Sequence, residues 1–480
     1  MDSEKLLELI ELLQQESAAR KAEQASRAAA EASLLQTISD LNSMVKHLNT
    51  TIAKLIEENR LLKSPKKNSG NSSVPPSKDE NRPQKTSSLR SSSGKSAGGQ
   101  AGHEGSTLKM SSMPDNVVNH KPHFCKCCGL GLQDQKAELV CHRQVIDIPP
   151  VKPVYTEHRQ YRKVCCCGHQ NLADFPVGVD APVSYGSNTQ ALIAYLHTRQ
   201  YIPFGRISEY FRSVYAMPIS QGTVYGIINR FAAKAQPAVL LIKNALLRAT
   251  VIGSDETGAK QNGKQNWFWT WQSKQATFIA YSHKRDLQTI QTHFPTGFPK
   301  AVLTHDCWNP HFKTQALNHQ ICTAHLLREM VYMEQKYASE WATEFKQMIY
   351  SALQLKKNME PCQYHKPVAA RSELEKQLQE LLMVNMHQKN KELIAFQKRI
   401  LKHREYLFTF LYHHEVPADN NKSEQAIRNI KVKQKVSGMF KSAHGAHSYA
   451  IIRSVTDTCI KNSQCIINAF AEIAKLKHSI

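Results

Sequence analysis

Along the first 62 residues, apolar side chains return at alternating steps of four and three. Leu34, Ile38, Leu41, Val45, Leu48, Ile52, Leu55 and Leu62 keep one such register, and Asn59 puts a polar residue into it. A stripe of this period is the seam of a coiled coil. Residues 1–62 hold neither Pro nor Gly and are expected to form a coiled-coil helix that pairs chains. The other reading, an amphipathic helix packed on its own domain, is disfavoured because no compact domain follows at once. Ala28, Ala29, Ala30 and Ala32 weaken the seam upstream.

The periodicity then stops. Residues 63–112 are rich in Ser, Gly, Lys and Pro. Such a segment buries too little apolar surface to offset its ordering entropy and is expected to be a flexible basic linker. Helical spacing resumes in region 181–247. It predicts helices over Ser187–Gln200, Arg206–Tyr215 and Gln221–Phe231, with Ser220 as N-cap of the last. This order suits a helix-turn-helix-like DNA-binding region, or else a plain helical connector.

From residue 248 the period shortens to two. Strands are predicted at Ala249–Asp255, Asn266–Gln272 and Ala276–His283, with Trp267, Trp269 and Trp271 on one face of the second. A helix over Asp286–Phe294 follows, then strands at Lys300–Asp306 and His319–Thr323. Three antiparallel strands, then helix, strand, helix and strand, is the ribonuclease-H-like order. The expected fold class is therefore α/β, with a ribonuclease-H-like catalytic core on a mixed sheet over 248–480. Residues 326–413 read as a helical insertion, broken near Pro361 and Pro367.

Charge narrows the partner. Sixty-two Lys and Arg against 40 Asp and Glu leave +22, which points to a polyanion such as DNA. No run of 18 apolar residues is present, so no membrane-spanning helix is expected. The acidic N-terminus, with Asp2, Glu4, Glu8 and Glu11, lacks the basic start of a secretory signal, and a cytoplasmic location is expected.

Seven of the 12 cysteines lie between Cys125 and Cys167. Two short Cys groups, each followed by Gly, flank a β-rich span, the pattern of a zinc ribbon over 113–180. Cys125, Cys128, Cys165 and Cys167 are the chosen Zn²⁺ ligands, with Cys127, Cys166, Cys141 and His142 competing. Buried or free thiols are the plainer reading.

Two predicted strands end in acids, Asp255 and Asp306. If those strands are neighbours, both carboxylates leave the same sheet edge and can share Mg²⁺ (or Mn²⁺) ions suited to phosphodiester chemistry. A third carboxylate is needed, and Glu424, on a helix that Asp419 and Asn420 can cap, is the best candidate. Any one of these acids alone would read as a solvated carboxylate. Cys322-x2-His325 either helps organise this site or binds a second metal, or is a buried Cys beside a helix-terminal His. Arg428, Lys431 and Lys435 share one helix face beyond Glu424 and read as phosphate contacts.

The motifs SDETG, THDCW, CTAHLLREM and DNNKSEQAIRNIKVKQKVSGMFKSAHGAHSYA, with NSSVPPSKD, GGQAGHEGSTL, FCKCCG and VCCCGH upstream, occur in one shared order. The chain thereby resembles DDE transposases of the insertion sequence sixty-six family. The resemblance implies a catalytic triad of Asp255, Asp306 and Glu424, and a helical insertion between the last two. The spacings agree: 424 − 306 = 118 residues against 306 − 255 = 51. It implies cleavage at insertion-element ends, then attack of the freed 3′-hydroxyl on target DNA, with no covalent protein intermediate. It also implies double-stranded DNA as partner, as terminal inverted repeats and target. A homodimer or higher assembly, element-encoded accessory proteins and a bacterial, nucleoid-associated setting go with it.

The chain departs from the family pattern at Gln425, where Arg is usual, and at Cys307-Trp308, where Gly-Tyr is usual. The rivals are a catalytically silent, transposase-derived zinc DNA-binding repressor and a structure-specific nuclease on the same fold.

Overall fold

The computed structural model describes residues 3–62, 66–68, 71, 102, 108–176, 178–179, 181–386, 388 and 390–477. Most of the expected linker lies outside the described residues. A single 60-residue helix, α1 (Ser3–Leu62), opens the chain. Its seam residues from Leu34 to Leu55 are all exposed. Where the described chain resumes, Asn71 donates to Gln335 Oε1 at 2.9 Å and Lys67 pairs with Glu392 at 3.3 Å.

The cysteine-rich region holds a small antiparallel hairpin, β1 (Arg162–Val164) with β2 (Gln170–Leu172). Four helices follow: α2 (Ser187–Thr198), α3 (Phe204–Tyr215), α4 (Gln221–Lys234) and α5 (Gln236–Leu247). The Ser220 side chain caps α4 by accepting from the Thr223 N–H, as expected. Helix α4 buries Val224, Ile227, Ile228 and Phe231 and leaves Gln221, Tyr225 and Arg230 exposed.

The centre of the molecule is a five-stranded mixed sheet. Its strands are β3 (Val251–Gln261), β4 (Lys264–Gln272), β5 (Thr277–Ser282), β6 (Phe298–His305) and β7 (Ala316–Ile321), in the order β5-β4-β3-β6-β7. β3, β4 and β5 are antiparallel, while β6 and β7 run parallel to β3. Asn262 and Gly263 both take positive φ, which lets a two-residue turn join β3 to β4 without splaying them. Between β5 and β7 lie α6 (Leu287–His293) and α7 (Asn309–Phe312).

After β7 the chain runs through α8 (Thr323–Tyr337), α9 (Glu340–Asn358), α10 (Ala369–Met383) and α11 (Lys391–Lys402). A short 3₁₀ turn at Pro361–His365 marks the break expected near Pro361. These helices form their own apolar cluster around Trp341, Phe345, Leu378, Phe396 and Phe410. The excursion closes on itself: Thr323 donates to the Ala418 carbonyl from both N–H, at 3.0 Å, and Oγ1, at 2.9 Å. The chain ends with α12 (Asn421–Ser437), α13 (Ala443–Lys461) and α14 (Ile466–Lys475).

Alternation along the strands places helices on both faces of the sheet. Trp269, Trp271 and Phe278 face one cluster, which they share with α2, α4, α5 and α14. Phe268, Ile279 and Tyr281 face another, with Ile430 of α12 and Tyr449 of α13. The helices before the sheet and those after β7's excursion thus enclose one α/β body. Trp269 and Trp271 are fully buried and stacked 5.9 Å apart. Truncating either to Ala costs about 3–5 kcal/mol.

Candidate active site

Hydrogen bonding between β3 and β6 ends at Gly253 and Thr304. Asp255 and Asp306 each follow two residues later, so they stand level just past the end of the β3–β6 pairing, with Asp255 still inside β3. Residues two apart on a strand share a face, and Gly253 is pressed by α12 on that face. A Cβ on Gly253 would fall onto Ser423 Oγ, Gln272 Nε2 and Asn420 Oδ1. The glycine therefore lets the start of α12 lie directly on β3, and Glu424 sits in that first turn.

Asn420 locks the arrangement. Its Nδ2 donates to the Ser254 carbonyl at 2.7 Å, and its Oδ1 accepts from Ser423 Oγ at 2.6 Å. Gln272 Nε2 donates to the same hydroxyl at 3.2 Å. Asn420 is the N-cap residue of α12, as expected, but its side chain caps no helix N–H and instead links β3 to Ser423. Asp419 does serve the helix start, accepting from the Asn421 N–H at 3.0 Å.

Each acid is oriented by a nearby donor. Asp255 Oδ1 accepts from the Glu256 N–H at 2.9 Å, and Asp306 Oδ1 from the Trp308 N–H at 2.9 Å. Glu424 Oε1 lies 2.9 Å from Arg328 Nη2 and 3.6 Å from His325 Nε2, and its Oε2 lies 3.4 Å from Arg428. Burial raises the Asp255 carboxyl well above the usual range, and the charges of Glu256, Asp306 and Glu424 push it further. The donors are all oxygen, the type a hard dication prefers, but among the described residues Asp255, Asp306 and Glu424 are not gathered into one group with donors within 4.8 Å of one another.

Several residues around the acids were not singled out from sequence. Glu256, next to Asp255 and on the opposite face, is enclosed. It pairs with Arg285 at 2.5 Å and His311 at 3.1 Å. Burial alone would raise its carboxyl, yet the two bases hold it below the ordinary value. Arg285 lies over the rings of Trp267 and Trp308, at 5.0 and 4.5 Å. The second acid of SDETG was a visible signal for this network, but its partners lie 29 and 55 residues away.

Cys322 is fully buried at the start of α8, where burial pushes its thiol up to about 12. Donor atoms of Cys322, His325 and Glu424 lie within 4.8 Å of one another.

Of the three residues expected at phosphates, Arg428 and Lys435 are exposed. Lys431 is partly covered and donates to the Gly258 carbonyl of β3. Lys433, two residues on, is buried 3.2 Å from His197 Nδ1, and burial drops its amine to about 7.

The expected zinc ligands lie on two separate turns. The Gly129 N–H closes the first onto the Cys125 carbonyl at 2.9 Å, and the Gly168 N–H closes the second onto that of Cys165 at 2.8 Å. Both glycines take positive φ. Neighbouring backbone N–H groups lower the thiols of Cys125 and Cys165. Among the described residues, Cys125, Cys128, Cys165 and Cys167 are not gathered into one group with donors within 4.8 Å of one another.

The mixed α/β sheet thus carries Asp255 within β3 and Asp306 just past β6, and Glu424 lies in the first turn of the helix laid on β3. The family described as Transposase IS66 family matches residues 182–448, more than half of the chain, and the chain belongs to that family. Membership carries a DNA substrate with it. A comparison with curated proteins finds no match. Among the described residues, no helix is long and apolar enough to cross a membrane.

Proposed function

We propose that this transposase cuts DNA at the ends of an insertion element and joins them to target DNA through Asp255, Asp306 and Glu424, on a ribonuclease-H-like core. The observation that carries the reading is the shared level of Asp255 and Asp306, two residues past the last β3–β6 rung, with Glu424 held above them by the Asn420–Ser254 bond. Mg²⁺ or Mn²⁺, held by these three carboxylates, supplies positive charge to the attacking and leaving oxygens of a phosphodiester displacement.

The chain's own residues set the geometry. The Glu256 and Trp308 N–H groups fix the rotamers of the two aspartates, and Arg328 fixes that of the glutamate. Hydrolysis at the element end frees a 3′-hydroxyl, which displaces a phosphodiester of the target, so no side chain forms a covalent bond to DNA. Arg428, Lys431 and Lys435 position phosphates along α12. The paired turns of the 113–180 region take Zn²⁺ through Cys125, Cys128, Cys165 and Cys167. The lowered thiols of Cys125 and Cys165, and the exposed positions of Cys128, Cys165 and Cys167, support that donor set. This region and the exposed face of α4 in 181–247 recognise terminal repeats, and the α1 seam pairs two chains.

The test is cleavage of a supercoiled plasmid carrying the DNA that flanks this gene, with Mg²⁺ or Mn²⁺, comparing the parent with Asp306→Asn. Metal-dependent nicking at fixed positions, lost in the variant, is expected. Binding without cutting by either protein would instead favour a silent DNA-binding repressor. Cutting without joined products would favour a nuclease.

A further inference from the structure

We infer that Cys322, His325 and Glu424 form a site for a thiophilic divalent cation of the zinc class at the N-terminus of α8. The inference deepens the proposed function and rests on it, because the site shares Glu424 with the catalytic trio.

Three observations carry it. Cys322 precedes α8 and His325 lies in its first turn, and their donor atoms fall within 4.8 Å of each other and of a Glu424 oxygen. The Cys322 sulfur receives the Asn420 N–H at 3.2 Å, which fixes its place beside His325. His325 Nδ1 is enclosed and has no hydrogen-bond partner, while Nε2 stops 3.6 Å short of Glu424 Oε1. An enclosed imidazole nitrogen beside a thiol and a carboxylate is a ligand in want of an ion.

One sulfur, one nitrogen and one oxygen match the three-ligand zinc sites that keep a fourth position open. Mg²⁺ prefers oxygen throughout. Arg328 also bonds Glu424 Oε1, but that oxygen has a second lone pair to offer. A zinc-class ion bound here would engage the carboxylate of Glu424, which the proposed catalytic trio also uses.

The test is titration of the full chain, preloaded with one equivalent of Zn²⁺ for the cysteine turns, with Co²⁺ followed by absorption. One further equivalent is expected, with a sulfur-to-cobalt charge-transfer band that Cys322→Ser abolishes. His325→Gln, which leaves the buried sulfur in place, should weaken it by at least the roughly 10-fold that loss of even an outer partner causes. Exchange of cobalt into the cysteine turns would appear in all variants and cancel in the difference. Asp306→Asn should keep the band. No further equivalent, or a band that survives in both Cys322→Ser and His325→Gln, overturns the site. If Asp306→Asn still cuts DNA, the proposed function falls and the cobalt result is unaffected. If only the band is missing, the inference alone falls.

Discussion

Asp255 and Asp306 stand at the same height on neighbouring parallel strands, each two residues beyond the rung formed by Gly253 and Thr304. Strand pairing alone sets this relationship. It makes the spacing of the two carboxylates a property of the sheet and leaves the third, Glu424, to be set by how α12 lies on β3.

Gly253 is the contact on which that lie depends. Gly253→Ala would drive a methyl into Ser423, Gln272 and Asn420. Overpacking of this kind costs about 1–3 kcal/mol. Urea denaturation should show that loss, and cleavage should fall further than stability explains, because α12 and Glu424 must shift. A variant as stable and as active as the parent would remove Gly253 from the argument.

Asp255 should destabilise the chain when no Mg²⁺ is added. Its carboxyl is raised in the folded state by burial and by its acidic neighbours, so the unfolded chain releases that proton first. Stability therefore falls as pH climbs from the ordinary carboxylate range through the raised one. Asp255→Asn should abolish this fall and stabilise the chain at neutral pH by about 1–2 kcal/mol. Urea midpoints measured from about pH 4 to pH 8 check the sign. Buried histidines with lowered pKa add a rise of their own, so the check is the parent-minus-variant difference, and a difference that rises over that window would contradict the reading.

DNA binding should lose salt dependence when the exposed cations of α12 are removed. Arg428→Ala and Lys435→Ala should each lower the salt slope by about 1, at every sequence tested. Lys431→Ala should also weaken binding, with an added cost in stability from the lost bond to the Gly258 carbonyl. Slopes unchanged in all three would place the phosphates elsewhere.

Removing residues 1–62 should leave a monomer at micromolar concentration, since the seam of α1 is exposed from Leu34 to Leu55. Sedimentation of the deletion and the parent decides the matter. A dimer that persists in the deletion assigns pairing to another surface.

Much of the scaffold was legible because its signals are local. Alternation in NWFWTWQ and the apolar runs before Asp255 and Asp306 located the strands to within a few residues, and Ser220 announced α4. β3 runs on to Gln261 because the turn sits at Asn262-Gly263, where the strand was expected to end at Asp255. What stayed hidden is held by long-range partners. Arg328 reaches Glu424 across 96 residues, and Asn420 reaches Ser254 across 166. No period or spacing reports such pairs. Asn420 was legible as the N-cap of α12, but the use of its side chain on β3 depends on a packing that only the folded sheet provides.

The double bond from Thr323 to the Ala418 carbonyl has an evolutionary consequence. Nearly a hundred residues depart and return at one point, and the returning end is also laced to β7 through Leu407, Thr409 and Phe410. A cassette fastened in this way is free to lengthen, shorten or be exchanged between relatives while the chain beyond it re-enters at an unchanged position. The helices beyond α8 are therefore where descendants of this chain should diverge first, while α8 must keep His325 and Arg328 beside Glu424.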